Sequence, residues 1–307
     1  MTRALVLAAE SCLGWHICDA LEAGDHTVAA TSFEPLAGRD TELCDLCDFG
    51  AVAEIVAGAR PQWIVNCAGV TQTNEVHDLY GLHIGGASNL LAALREHCPE
   101  AVTIFFGSAA EYGPVPPEDL PVAESHRGVP AGFFGASKLA QTHLVGAAAA
   151  EWALRVLVVR PSNVVGPRLG PQYLASALAE RLRGLPDDPS GRELAVVNGA
   201  ATRDFVDPRD VAAAALALLE NASPEPGRCD VYNIATGGET PVLELARILA
   251  ELAGDVRVYD AGAGASRTGI DRSCLDPGKL IAATGWRPRI PLQRSLADLW
   301  ATIPSPR

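Results

Sequence analysis

Along the first half of the chain, continuous apolar runs alternate with segments in which apolar residues recur every three or four positions. "RALVLAA", "HTVAATS", "WIVNCAG" and "LRVLVVRP" are short and rich in Val, Ile, Leu and Ala, the pattern of strands buried on both faces. "AVTIFFGSAAEYG" begins in the same way. Between them, "GWHICDALEAG", "FGAVAEIVAGARP", "GGASNLLAALREHC" and "ASKLAQTHLVGAAAAEWA" carry helical periodicity, and the first ends at Gly24. Strands alternating with helices of this length predict βαβ units, hence an α/β fold with one parallel sheet covered by helices on both faces.

After Gly166 the texture changes, and Pro and Gly become frequent in "GPRLGPQY" and "GLPDDPSGR". The strand–helix rhythm returns in "DPRDVAAAALALLE" and "DVYNIAT", followed by the helix "PVLELARILAELAG" and a tail without regular pattern. The organisation predicted is a sheet domain over residues 1–165, to which 205–235 return, and a smaller lobe built from 166–204 and 236–307. With 48% hydrophobic and 20% charged residues, the chain has the composition of a packed globule. "MTRALVLAAE" reads as a buried strand followed by Glu10 rather than a signal peptide. No apolar run reaches the ~20 residues that span a bilayer, so a cytoplasmic protein without membrane partners is expected. A formal net charge of −13 argues against nucleic acid or an anionic membrane as partner, although a local basic pocket for a phosphate is compatible with it. Of the eight cysteines, Cys44 and Cys47 form a C-x-x-C, but no second pair follows at zinc spacing. Reduced buried thiols and no metal are expected.

Six stretches occur in an order that matches a known pattern: "GSAAEYG", "GASK", "RPSNVVGP", "TRDFVDPRDVA", "DVYNIATG" and "TGWRPRIPL". By these motifs the chain resembles, over nearly its whole length, the extended short-chain dehydrogenase/reductases. Within them it is similar to the NAD-dependent epimerase/dehydratase family of sugar-nucleotide enzymes, in particular the GDP-4-keto-6-deoxymannose reductases. The resemblance implies a Rossmann-like doubly wound sheet with a C-terminal substrate-binding lobe, a nucleotide diphosphate sugar as substrate, and a homodimer.

Three departures fall on positions that carry function in that family. The phosphate loop, usually G-x-x-G-x-x-G, has Ala8, Ser11 and Gly14 at the glycine positions, so only the glycine of close helix–strand packing is kept. Glu10 in this turn has two readings: it supplies the helix N-terminus with an internal anion that repels the cofactor, or it points to solvent. At the end of the second strand stand Thr31, Ser32 and Phe33, neither the acid that suits NAD nor the Arg that suits NADP. Asp45 matches an adenine-contacting position, and Asp48 reads equally as the cap of the next helix. NAD or NADP binding is therefore expected to be weakened or lost.

The third departure is catalytic. The family's Ser, Tyr and Lys correspond to Ser108, Phe134 and Lys138, and a phenyl ring cannot move a proton. Lys138 also corresponds to the residue that binds the nicotinamide ribose. His83 replaces the family's Asn and reads either as a substitute proton carrier or as an ordinary hydrogen-bonded His. On the substrate side, Asn163, Arg203 and Arg267 match residues that approach the diphosphate; the alternative for the two Args is ion pairing with Asp204 or Asp271. The combined changes predict an atypical enzyme of the family acting on a nucleotide sugar or related hydroxy-ketone metabolite by non-redox acid/base chemistry, namely elimination, epimerisation or cyclisation. The alternatives are an NAD(P)H-dependent ketoreductase with a substitute proton donor and an inactive binding protein on the same fold.

Overall fold

The computed structural model describes residues 2–70, 75–186, 192–222, 224–262, 264 and 269–304. Strands β1 (Arg3–Leu7), β2 (Thr27–Ser32), β3 (Glu42–Leu43), β4 (Trp63–Asn66), β5 (Val102–Phe106) and β6 (Arg155–Pro161) join the edge strand Cys229–Ile234 in a seven-stranded sheet. Its order is edge strand–β6–β5–β4–β1–β2–β3, and each pairing is parallel. The order reverses between β1 and β4, which opens a crevice at the carboxyl ends of those strands.

The helices are α1 (Cys12–Ala23), α2 (Phe49–Ala59), α3 (Val76–Tyr80), α4 (Ala87–His97), α5 (Phe133–Trp152), α6 (Leu174–Arg183), α7 (Pro208–Asn221), α8 (Val242–Ala253), α9 (Gly278–Thr284) and α10 (Leu292–Thr302). Alternate residues of each strand serve opposite faces of the sheet. Ala4 and Val6 pack with Ile17 and Leu21 of α1 and with Val211 and Leu218 of α7. Leu5 and Leu7 pack with Val52 of α2, Leu90 and Leu94 of α4, and Val145 of α5. Each such side chain contributes ~1.5–3 kcal/mol by leaving water. Side-chain caps fix where helices start: Asp48 accepts from the Gly50 and Ala51 amides at α2, and Asp207 accepts from the Arg209 amide at α7.

The smaller lobe has its own core, with Leu178 and Leu182 of α6, Leu245 and Leu249 of α8, and Leu296 and Leu299 of α10. The tail expected to be irregular thus contains α9 and α10. The segment around α9, expected in the lobe, packs instead on the sheet domain, because Leu280 and Trp286 are buried in the core shared with α7. Trp286 Nε1 donates to the Asp210 carbonyl at 3.1 Å, and the Asp210 carboxylate accepts from the Arg289 and Ile290 amides at 3.0 and 2.9 Å. Among the described residues no helix is long and apolar enough to cross a membrane.

Candidate active site

The turn from β1 into α1 forms one wall of a cleft of about 1070 Å³ at the carboxyl end of the sheet. Gly14 is required there, because a Cβ on it would lie 2.2 Å from the Ala8 carbonyl oxygen. Ala8 adopts φ 60, a left-handed conformation that costs an L-residue ~1–2 kcal/mol. Ser11 caps α1: its Oγ accepts from the Gly14 amide at 3.0 Å and donates to the Ala8 carbonyl at 2.8 Å. Its hydroxyl is therefore turned onto the helix rather than out over its end. The amides of Cys12 and Leu13 make no hydrogen bond among the described residues, so the first turn presents free donors and the positive end of a helix dipole to the cleft. These features fit the pyrophosphate of a dinucleotide.

Glu10 is exposed, as the second course expected for it has it, and among the described residues it makes no hydrogen bond to the amides of the helix terminus. Its carboxylate leaves the helix terminus and accepts the Phe33 amide at 3.2 Å, at the tip of β2. Asp45, exposed on the same cleft, accepts the Cys47 amide at 2.8 Å. Arg168 comes from the loop after β6 and lies 3.6 Å from the Trp15 ring centroid. The Pro167 carbonyl beside it is held by Cys12 Sγ and His16 Nε2. The eight cysteines are free thiols, and the Cys44 and Cys47 thiols are pushed up by burial.

Beyond Gly69 the cleft continues into a second cavity of about 540 Å³, lined by Ser108, Phe134, Lys138, Asn163 and Arg203. The sequence-predicted site residues on α5 and after β5 thus converge. Ser108 Oγ accepts the Ala110 amide at 3.1 Å and makes no donor bond among the described residues, so its hydrogen is free for a ligand. Its backbone is fixed by Glu111, buried between the Ser108 amide, Thr142 Oγ1 and the Arg160 guanidinium. Lys138 is buried; Nζ donates to the Phe106 carbonyl at 2.9 Å and to Gln141 Oε1 at 3.2 Å. Burial lowers its pKa to about 8, against the opposing pull of Glu111.

His83 lies in a wide π turn, Gly81–Gly86, that leads into α4. Nε2 accepts the Val70 amide at 3.2 Å, and Nδ1 meets Ser137 Oγ at 2.9 Å. Because Ser137 spends its own hydrogen on the Phe134 carbonyl at 2.9 Å, the network assigns the hydrogen to Nδ1. Burial first, and then the Lys138 charge, lower the ring's pKa to about 3. The imidazole considered from sequence as a proton carrier is held neutral with both nitrogens committed. Its ring meets Phe134 edge-on, with centroids 5.8 Å apart.

On the substrate side, Asn163 Nδ2 donates to the Asp204 carbonyl at 3.3 Å. Arg203 donates to the carbonyls of Thr202, Ile270 and Asp271 rather than to the carboxylates of Asp204 or Asp271. Arg267 lies outside the described residues.

The model of the NAD dependent epimerase/dehydratase family matches residues 4–235. The chain belongs to that family. Over 245 residues, 77% of this chain and 78% of the relative, it is 29% identical to the GDP-6-deoxy-D-mannose reductase of Pseudomonas aeruginosa. It superposes on the P. aeruginosa RMD structure complexed with NADPH with a TM-score of 0.84, at 26% identity over 98% of each chain. The Thermus thermophilus UDP-glucose 4-epimerase complexed with NAD gives a TM-score of 0.83 at 27% identity, again over 98% of each chain. An NAD(P) site is therefore a property of this chain's family and fold.

Some residues of this family site escape sequence reasoning. Gln141 stands three positions after Lys138, one helical turn on, a spacing that signals contact. Arg168 and Gly69 carry no local signal, since their roles depend on what the fold brings beside them.

Proposed function

We propose that the protein is an NAD(P)-dependent enzyme that reduces or epimerises a nucleotide sugar at a ring carbonyl or carbinol, with Lys138 and Ser108 managing the proton in place of the family's phenol. The observation that carries this reading is the continuity of the two cavities at Gly69: a Cβ there would lie 3.5 Å from both Lys138 Nζ and His83 Nε2. A dinucleotide along α1 and a sugar against Ser108 would meet at that gap. The bound dinucleotide supplies hydride exchange.

The chain's own residues do the rest. Ser108 donates its hydroxyl hydrogen to the substrate oxygen and holds it in place. Lys138 has three N–H groups and commits two to Phe106 and Gln141, which leaves one for the cavity it lines. A pKa of about 8 keeps the ammonium charged at neutral pH yet close enough to it to give up a proton to a developing alkoxide. His83, through Ser137, fixes the first turn of α5 and so the position of Phe134 and Lys138. Asn163 and Arg203 line the wall where a diphosphate would lie.

The redox reading is preferred to the non-redox one because the Ser11 hydroxyl is folded onto Gly14 and Ala8, the Glu10 carboxylate is drawn to the tip of β2, and the Cys12 and Leu13 amides are left open for a pyrophosphate. The test is turnover of GDP-, dTDP- and UDP-linked 4-keto-6-deoxysugars, monitored by loss of reduced nicotinamide absorbance. Oxidation of the dinucleotide is expected, abolished by Lys138→Met. Phe134→Tyr should raise the rate at least about tenfold, since a positioned acid is worth ~10²–10⁴. Consumption of a sugar nucleotide by the protein freed of dinucleotide, at a rate unmoved by adding NAD⁺ or NADPH, would restore the non-redox reading.

A further inference from the structure

Dinucleotide dependence leaves open which of the two nicotinamide dinucleotides is taken, and the structural relatives are complexed with either. A preference between them rests on the dinucleotide-dependent function proposed for this site. The end of β2 offers the adenosine ribose no charged side chain of its own. Thr31 and Ser32 are buried, and Ser32 Oγ is 2.7 Å from Thr41 Oγ1. Phe33, the next residue, is exposed on the cleft. Into this place comes Glu10, from the β1–α1 turn on the neighbouring strand, anchored through Oε1 to the Phe33 amide. A carboxylate has about four lone-pair sites, so one bond to Phe33 leaves acceptors for a vicinal diol.

The charge around this point is of one sign. Glu10 and Asp45 both line this end of the cleft, and the Cys44 thiol that lines it with them is raised to about 11, first by burial and then by Asp45, Asp48, Glu10 and Glu42. Arg39, the cation of the loop after β2, is tied to Asp19 and Glu22 and stacked on Trp15, with its side chain only 10% exposed. Arg168, the cation lining the cleft, also lies over the Trp15 ring, next to the loop that holds Cys12 at the start of α1. Like Arg39, it is committed to that ring.

We infer that Glu10 replaces the missing strand-end acid: it binds the adenosine ribose hydroxyls and excludes a 2′-phosphate, which makes the cofactor NAD rather than NADP. The acid is supplied by the phosphate loop itself, one strand over from its usual position.

Calorimetric titration of the full chain with NAD⁺ and NADP⁺, without substrate, tests this. NAD⁺ should bind at least about tenfold more tightly, the size expected of a charge-assisted hydrogen bond gained or a like charge opposed. Glu10→Gln keeps the acceptor for the Phe33 amide but removes the charge. It should raise NADP⁺ affinity and narrow the ratio to within about threefold, while Glu10→Ala should lower NAD⁺ affinity about tenfold. Glu10 is exposed, so neither variant threatens the fold. Equal affinity of the native protein for the two dinucleotides, or a ratio unmoved by Glu10→Gln, overturns the assignment of Glu10 and leaves the functional reading standing. Absence of binding by either dinucleotide overturns both.

Discussion

Lys138 shows how a single buried cation ties function to stability. Its pKa in the folded protein, about 8, lies below the value of 10.5 for an unburied lysine. Between these values the unfolded chain holds a proton that the folded protein has released, so stability rises with pH across the window, and below pH 8 the cost of burying the ammonium is present in full. Lys138→Met removes that cost but leaves Gln141 Oε1 without its donor. Replacement of a buried charge typically gains ~1–4 kcal/mol and an orphaned acceptor costs ~1–3. The desolvation term is the larger here, so Lys138→Met should be about 1–2 kcal/mol more stable than the native protein at pH 7, with the difference falling through zero and reversing above pH 10, where only the orphaned acceptor remains. Denaturant melts at the two pH values measure it, and a variant less stable at pH 7 by a pH-independent amount would count against the charged, buried state. At this scale Ser108, Phe134 and Lys138 were legible in the sequence, because their spacing on one turn and one helix is local. The commitments of His83 and Glu10 were not, because each depends on an amide donated by a distant segment: Val70 for one, Phe33 for the other.

Among the elements, α5 and the short turn after Ser108 must approach closely for the site to exist, and Gly135 permits it. A Cβ at Gly135 would lie 2.3 Å from the Ala110 carbonyl oxygen and 2.9 Å from Pro130 Cβ, and the first of these is backbone that cannot rotate away. Gly135→Ala should therefore destabilise by ~1–3 kcal/mol and lower turnover, as α5 carries Lys138 away from Ser108. Gly146, on the same helix, has its nearest neighbour at 3.9 Å, so Gly146→Ala should gain ~0.5–1 kcal/mol from helix propensity alone. Thermal melts of the pair separate a steric requirement from a general intolerance of α5 to alanine. The helix periodicity of α5 was plain in the sequence, but the need for glycine at one position and not the other lies in the facing turn. The π turn before α4 is similar. "GGASNLLAALREHC" predicts a helix, but the widening over Gly81–Gly86 follows from His83 being drawn to Val70 and Ser137. Helices α6 and α10 fell in stretches whose Pro and Gly content masked short amphipathic patterns, and their burial against α8 becomes visible only in the lobe core.

Over the whole molecule, alternation of strand and helix was enough to predict the parallel sheet, whereas at the junction between sheet domain and lobe the buried carboxylate of Asp204 gathers donors from distant segments that no local pattern connects. Asp204 accepts from Thr236 Oγ1 at 2.7 Å, from the Thr236 and Gly237 amides at 3.0 Å, and from Ser162 Oγ at 3.3 Å. Its own amide bonds to the Ser273 carbonyl at 2.8 Å, and its carbonyl accepts from the Asn163 amide at 3.0 Å. It thus joins the exits of β6 and of the edge strand to the returning 270s segment, beside Arg203 in the cavity wall. Burial raises its pKa and the amides of Thr236, Gly237 and Leu275 oppose the rise, the balance of a charge kept in the interior by donors alone. Asp204→Asn turns an NH₂ toward these donors and should cost ~1–3 kcal/mol. Because Asp204 holds Asn163 through its own backbone carbonyl and follows Arg203 directly in the chain, but touches nothing at the β1–α1 turn, the loss should be selective. Nucleotide-sugar affinity should fall about tenfold, the factor that ~1.4 kcal/mol of lost alignment gives, while dinucleotide affinity stays within experimental error. Parallel titrations with a sugar nucleotide and with NAD⁺ read this directly. An equal fall in both would mean that Asp204 sets the closure of the entire crevice, and that the sheet domain and the lobe bind their ligands as one unit.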